Sequence, residues 1–288
     1  MAANAGAATS SRTAPDQRLR AAIIRRYALN EESVAHIASL QDAQGLRFSD
    51  AAIRLGYATQ AEIDSLVELS LPPMVQERQL APAPVLGLAH DPYHPRSEQI
   101  RSLRTELLLR HEAGNEANIL AVLSPCAGEG RSQLAAELAI AFSQLGRPTL
   151  LVDADLRHPR LHSLFGASNA RGLSHALVRE QRSPLHGVAG LPDLFLLTSG
   201  PLPRNPLELL SDRRFEALVA DWRQTFEFVV LDTPPVQRYA DGLAVATIVG
   251  RVLSLSRAKH TPYRDTRNML RRLAATRSRI LGAVINYF

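Results

Sequence analysis

The chain has 288 residues, 45% of them hydrophobic and 21% charged, which is ordinary globular usage and excludes collagen-like and wholly disordered classes. That length leaves room for about two domains. Of 33 lysines and arginines only Lys259 is lysine, so chemistry that ordinarily uses a lysine must here use arginine, use Lys259 or be absent.

No apolar run reaches the roughly 18 residues of a bilayer-spanning helix, and Met1 to Ala14 lacks the basic start and apolar core of a signal peptide. A cytoplasmic location is therefore expected. The single cysteine, Cys126, has no partner for an internal disulfide and is too little for a zinc site. Within its glycine-bearing loop it reads as a small, inert residue.

Residues 1–16 are Ala/Ser/Thr-rich without periodicity, and no structure is assigned to them. Residues 17–70 carry a helical pattern that repeats at a spacing of 30: Ala21-Ala22-Ile23 recurs as Ala51-Ala52-Ile53, Tyr27-Ala28 as Tyr57-Ala58, and Glu32 as Glu62. Thr59-Gln60-Ala61-Glu62 has the spacing of a capping box, and Asn30 stands in the equivalent place before Val34, Ile37 and Leu40. Two helix-turn-helix units that cover each other's apolar faces are expected, as a small docking module. Residues 71–92, with prolines at 72, 73, 82, 84 and 92, read as a semi-extended linker.

Residues 93–288 alternate helical stretches with short apolar runs at 118–124, 148–153, 193–197, 226–232, 251–256 and 279–287. Consecutive apolar positions mark strands buried on both faces. Alternation with helices makes this an α/β domain with a parallel sheet, whose ligands bind at the carboxyl ends of the strands.

The first run leads into Pro125-Cys126-Ala127-Gly128-Glu129-Gly130-Arg131-Ser132 and then a helix from about Gln133. Strand, glycine loop and helix start are the context of a phosphate-binding loop, in which glycines let backbone amides converge on phosphate oxygens. Ala127 to Gln133 are the candidate nucleotide contacts, and Ser132 would offer a hydroxyl to magnesium. Arg131 stands where the motif has lysine. A glycine turn before a helix is the plainer alternative. The second run ends in Asp153-Ala154-Asp155-Leu156-Arg157, and another in Asp232-Thr233-Pro234-Pro235. Carboxylates leaving a buried strand are costly unless a cation meets them, and phosphate-bound magnesium is a natural partner. For each aspartate alone a helix cap or turn would suffice.

Taken together, Asp153-x-Asp155-x-Arg157 and Asp232-Thr233-Pro234-Pro235 resemble the Walker A-prime and Walker B motifs of bacterial tyrosine autokinases. Glu98-x-x-Arg101-x-x-Arg104 is similar to that family's E-x2-R-x2-R helix, as are Gly172-Leu173-Ser174, the Gly200 to Leu210 stretch and the terminal strand with Asn286. The resemblance implies a P-loop NTPase-like α/β fold and ATP and magnesium at the site. It also implies Arg131, Asp153 and Asp155 as catalytic residues, and Ser132, Asp232 and Asp153 around the metal. Asn286 would contact the nucleotide, and Glu98, Arg101 and Arg104 would form an oligomer contact. Its partners would be a second copy of the chain and a membrane chain-length determinant, the polysaccharide co-polymerase of exopolysaccharide synthesis. That places the protein at the inner membrane through its partner, with the activity of a protein-tyrosine kinase. Residues 45–62 are similar to amino-terminal modules of type II secretion ATPases and of the EpsG-like, chain-length-determinant-associated subgroup.

Two departures bear on function. Arginine is longer and planar where the loop's lysine is a compact charge. The family's tail often carries a tyrosine cluster, whereas here the tyrosines are scattered at 27, 57, 93, 239, 263 and 287. A catalytically weak ATP-binding regulator is thus an alternative. A ParA/MinD-like switch is another, but it lacks its signature lysine near Cys126. The basic stretch Arg264, Arg267, Arg271, Arg272, Arg277 and Arg279 reads as a solvated helix face rather than a nucleic-acid site.

Overall fold

The computed structural model describes residues 14–44, 46–63, 77–91, 93–110, 118–179 and 183–288. The chain forms two compact units, one from Met1–Pro73 with Glu112–Glu116, the other from Met74–His111 with Ala117–Phe288.

In the first unit, helices Ala14–Arg26, Glu31–Gln44 and Phe48–Arg54 are followed by a short helical turn at 60–63. Ile23, Ile37, Phe48, Ala51, Ala52, Ala58 and Ile63 make its core, so both copies of the repeat contribute to one apolar cluster. The capping box forms: the Thr59 amide donates to Glu62 Oε2 at 2.8 Å and the Glu62 amide to Thr59 Oγ1 at 3.3 Å. Asn30 caps helix Glu31–Gln44 through the Ser33 amide at 2.9 Å. The expectation of no structure over 1–16 is corrected from Ala14, where the first helix begins; residues 1–13 lie outside the described residues. So do residues 64–76, which hold the end of the expected module and the start of the expected linker.

The second unit is built on an eight-stranded sheet in the order β1-β4-β5-β3-β6-β2-β7-β8. The strands are β1 Glu77–Leu80, β2 Asn118–Leu123, β3 Thr149–Asp153, β4 His186–Val188, β5 Leu191–Leu197, β6 Phe228–Asp232, β7 Arg251–Arg257 and β8 Arg279–Asn286. All pairs are parallel except β4 with β5, a hairpin. Each of the six runs read from the sequence is a strand. The central strands β3 and β6 are buried at every position, as their consecutive apolar residues before the closing aspartates require.

The linker expectation over 71–92 is corrected from Glu77 onward. Residues 77–80 pair with β4 at the sheet edge, and helix Gly87–His90 buries Leu88 in the same core. The prolines at 82 and 84 follow the strand, where they interrupt no ladder.

Helix Arg131–Ser143 packs over the sheet with nearly every residue buried, and the Phe142 and Phe228 rings stack at 4.4 Å. Helix Pro95–Leu109 lies beside it, held by Arg104 Nη1 donating to the Ala141 carbonyl at 2.8 Å. No helix among the described residues is long and apolar enough to cross a membrane. Because β2 lies between β6 and β7, and β3 borders β6, the carboxyl ends of β2, β3 and β6 open side by side.

Candidate active site

Those three strand ends carry the three motifs. Register sets Asp232 directly beside Asp153 on one side and beside Val122, near the end of β2, on the other. The loop after β2 turns through Gly128 at φ +76° and Gly130 at φ +88°, left-handed conformations that glycine adopts without strain. At Gly130 a second reason applies, since a Cβ there would stand 2.4 Å from Asn286 Nδ2.

Arg131 lies at the centre of this site and is 8% exposed. Its guanidinium donates to Ser124 Oγ at 2.5 Å, to the Cys126 carbonyl at 3.2 Å and to the Thr233 carbonyl. Nε stands 3.7 Å from Asp232 Oδ1, and Nη2 stands 3.9 Å from Asp155 Oδ2. One arginine therefore ties the phosphate loop to both acidic strand ends.

The aspartates differ in what surrounds them. Asp153 is wholly buried and already satisfied: Oδ1 accepts from the Asp155 amide, and Oδ2 from the amides of Arg160 and Leu161 at 3.1 and 3.0 Å. Burial, with Asp232 alongside, pushes its carboxyl well above the usual range despite those amides. Asp155 uses Oδ1 for the amides of Arg157 and His158, leaving Oδ2 toward Arg131. Asp232 is also wholly buried, yet neither of its oxygens has a hydrogen-bond partner of normal geometry. Burial pushes it up to about 6, with Arg131 and the Ser132 hydroxyl pulling the other way.

A buried carboxylate whose oxygens make no hydrogen bond of normal geometry fits a cation. Among the described residues no cluster of three or more His, Cys, Asp or Glu could hold a metal unaided. Magnesium takes one or two protein ligands and completes its shell from phosphates and water.

Other expected contacts fall differently. Glu129 is buried and points back into its own loop, where its carboxylate accepts from the Cys126 amide at 2.8 Å and from the Thr261 hydroxyl. Gln133 turns its amide to the Val85 carbonyl at 3.1 Å and to Glu137, on the outer side of the helix. Ala127 and Gly128 are exposed at the loop's tip. Asn286 is brought to the loop and donates to the Glu129 carbonyl at 3.1 Å. Glu98 and Arg101 form an ion pair with each other on helix Pro95–Leu109, away from the loop. Burial raises the pKa of the Cys126 thiol, in keeping with an inert role.

Further residues complete the rim, Arg157 of the second motif among them. Arg157 pairs with the buried Asp241 at 3.1 Å and lies 4.3 Å over the Tyr239 ring. From the end of β7, Arg257 donates to the Gly128 carbonyl at 3.2 Å and covers the Phe288 ring at 4.1 Å. Lys259 lies on the turn that follows with φ +58°, so the lone lysine is remote from the loop in sequence but sits on a segment whose Thr261 touches it.

No family model matches the chain. The chain is 34% identical over 198 residues to the tyrosine-protein kinase YwqD of Bacillus subtilis, covering 68% of this chain and 83% of that protein. It is 30% identical over 191 residues to the putative tyrosine-protein kinase CapB of Staphylococcus aureus, covering 66% and 83%. Among solved structures, the kinase domain of the Escherichia coli tyrosine kinase ETK matches with a TM-score of 0.67 at 28% identity, covering 74% of this chain and 84% of that one.

Proposed function

Because the chain belongs to the family of bacterial tyrosine-protein kinases, we propose that its site binds ATP with magnesium and transfers the γ-phosphoryl group to tyrosine at Arg131, Asp155 and Asp232. The observation that carries this reading is Asp232: a wholly buried carboxylate whose oxygens make no hydrogen bond of normal geometry, with the Ser132 hydroxyl and Arg131 beside it, at a strand end next to a glycine-bearing loop.

Asp232 and the Ser132 hydroxyl would hold the magnesium ion. When bound, that ion neutralises charge on the β- and γ-phosphates. The chain's own groups do the rest. Backbone amides from Gly128 to Ser132 and the amino end of helix Arg131–Ser143 receive phosphate oxygens. The Arg131 guanidinium can donate two hydrogen bonds to the transferring group, where a lysine would act as a point charge. Of the two A-prime aspartates, Asp155 is the better base, because Asp153 has both oxygens engaged by backbone amides. In the transfer the tyrosine oxygen bonds to the γ-phosphorus as the bond to the bridging oxygen breaks. ADP leaves with that electron pair, and the phenolic proton passes to Asp155.

We further infer self-association through the helix bearing Glu98 and Arg101, and action in exopolysaccharide synthesis beside a membrane co-polymerase that holds the chain at the inner membrane. The family membership and the pattern of that helix support both. The tyrosines of this chain are scattered, and the acceptor we propose is Tyr287, which is exposed, or a tyrosine of the partner.

Incubating the pure protein with γ-labelled ATP and magnesium, alone and with the cytoplasmic segment of the co-polymerase, tests the reading. Label on tyrosine is expected in at least one mixture. ATP binding with no label in either would leave a nucleotide-dependent regulator instead.

A further inference from the structure

Arg96 has no place in the motifs above, yet it is joined to the phosphate loop by a short chain of hydrogen bonds. It is the second residue of helix Pro95–Leu109. Its Nε donates to both oxygens of Glu137 at 3.0 and 2.9 Å, and its Nη2 lies 2.9 Å from Oε2. Glu137 sits wholly buried in the helix that begins at Arg131, where an unpaired carboxylate would be costly. Glu137 therefore fixes the guanidinium plane. From that anchored plane Nη1 reaches Asn286 Oδ1 at 3.4 Å, and Asn286 Nδ2 in turn donates to the Glu129 carbonyl at 3.1 Å.

An asparagine amide is almost symmetric in shape and can present either its oxygen or its nitrogen. Arginine only donates, so Arg96 admits the oxygen alone and leaves the nitrogen facing the loop. If the amide were reversed, Asn286 would set its oxygen against the Glu129 carbonyl, a repulsive contact. Holding that carbonyl toward Asn286 also turns the Gly130 amide the opposite way, because the two groups of a trans peptide are antiparallel. The fit is close: a methyl group on Gly130 would meet Asn286 Nδ2 at 2.4 Å.

We propose that Arg96 is a positioning residue for the nucleotide site, which acts by selecting the orientation of the Asn286 amide and through it the Glu129–Gly130 peptide of the phosphate loop. The inference rests on nucleotide binding as proposed above, but not on phosphoryl transfer. Arg96 is the donor that decides the amide's orientation, Glu137 is its anchor, and Asn286 is the group that touches the loop.

Two variants test it, each read by ATP affinity in titration calorimetry and by thermal midpoint. Asn286→Asp keeps an oxygen toward Arg96 and removes the donor to Glu129. It should weaken ATP binding about tenfold, the loss of one hydrogen bond of about 1.4 kcal/mol, with the midpoint held by the new pair to Arg96. Arg96→Lys keeps a cation at Glu137 but loses the fork, and it is the variant that remains folded if the buried aspartate is not tolerated. It should weaken ATP binding severalfold, with the loss in KM for ATP rather than in kcat. Unchanged ATP affinity in Arg96→Lys, with the wild-type protein binding ATP, overturns the inference and leaves the kinase reading intact. A wild-type chain that binds no ATP overturns both, and a chain that binds ATP without transferring phosphate overturns only the kinase reading.

Discussion

Arg131 Nε stands 3.7 Å from Asp232 Oδ1, so the residue that replaces the loop's usual lysine is also the nearest cation to the carboxylate of the third motif. The same guanidinium bonds to Ser124 and to the carbonyls of Cys126 and Thr233. In the ligand-free protein it is thus a structural cross-link. Arg131→Met should lower stability at pH 7 by about 3 kcal/mol, the cost of stripping the partner from a buried charge. The loss should shrink at pH 5, where Asp232 is protonated. Urea unfolding at the two pH values measures both. Equal losses would show that the Asp232 contact contributes nothing.

The pH dependence of the ligand-free protein follows from the same carboxylates. Burial raises Asp232 to about 6 and Asp153 well above its ordinary range, so the folded chain holds these protons more tightly than the unfolded one. Their contribution to stability is complete below about pH 4, the unfolded carboxylate value, and each is lost as pH rises through its folded value, about 6 for Asp232. Asp232→Asn removes that loss. It should stabilise the metal-free protein at pH 7.5 by on the order of 2 kcal/mol relative to wild type, with little gain at pH 4, while weakening magnesium-dependent nucleotide binding. Thermal midpoints of both proteins across this range check the sign, and a variant less stable than wild type at pH 7.5 contradicts it.

The arginines of the E-x2-R-x2-R helix separate into two roles. Arg101 pairs with Glu98 in a solvent-facing position, whereas Arg104 reaches across to the Ala141 carbonyl and joins two helices. Arg101→Ala should leave stability nearly unchanged, within about 0.5 kcal/mol, and reduce self-association in sedimentation. Arg104→Ala should cost about 1–2 kcal/mol, a hydrogen bond from a charged donor. If Arg101→Ala sediments like wild type at every concentration, the helix is not the contact.

The motifs were legible because each is local: a strand end, a glycine loop and the next helix occupy adjacent residues, and the chemistry of Asp153, Asp155 and Asp232 is written into their position after apolar runs. Strands without an apolar signature were not. Glu77-Arg-Gln-Leu80 carries no alternation, and His186–Val188 is too short for a period, so β1 and β4 depend on pairing at the sheet edge. The six longer strands were legible from composition alone. Within the site, sequence spacing could not show that Asp153 is consumed by the amides of its own turn, which leaves Asp155 toward Arg131. Nor could it show that Glu129 folds back on Cys126 and Thr261, or that Arg96, Glu137 and Asn286 meet across 41 and 190 residues of chain. Those contacts exist only once the sheet is assembled.

The rate of phosphotyrosine formation on an added tyrosine-containing polymer, with ATP and magnesium, tests the central claim most directly when wild type is compared with Asp155→Asn. The wild-type protein should form phosphotyrosine. The variant should retain ATP binding and lose about a hundredfold or more in rate, as expected for removal of a general base. A wild-type protein that binds ATP yet phosphorylates neither the polymer nor itself, or an Asp155→Asn variant as fast as wild type, would contradict the account.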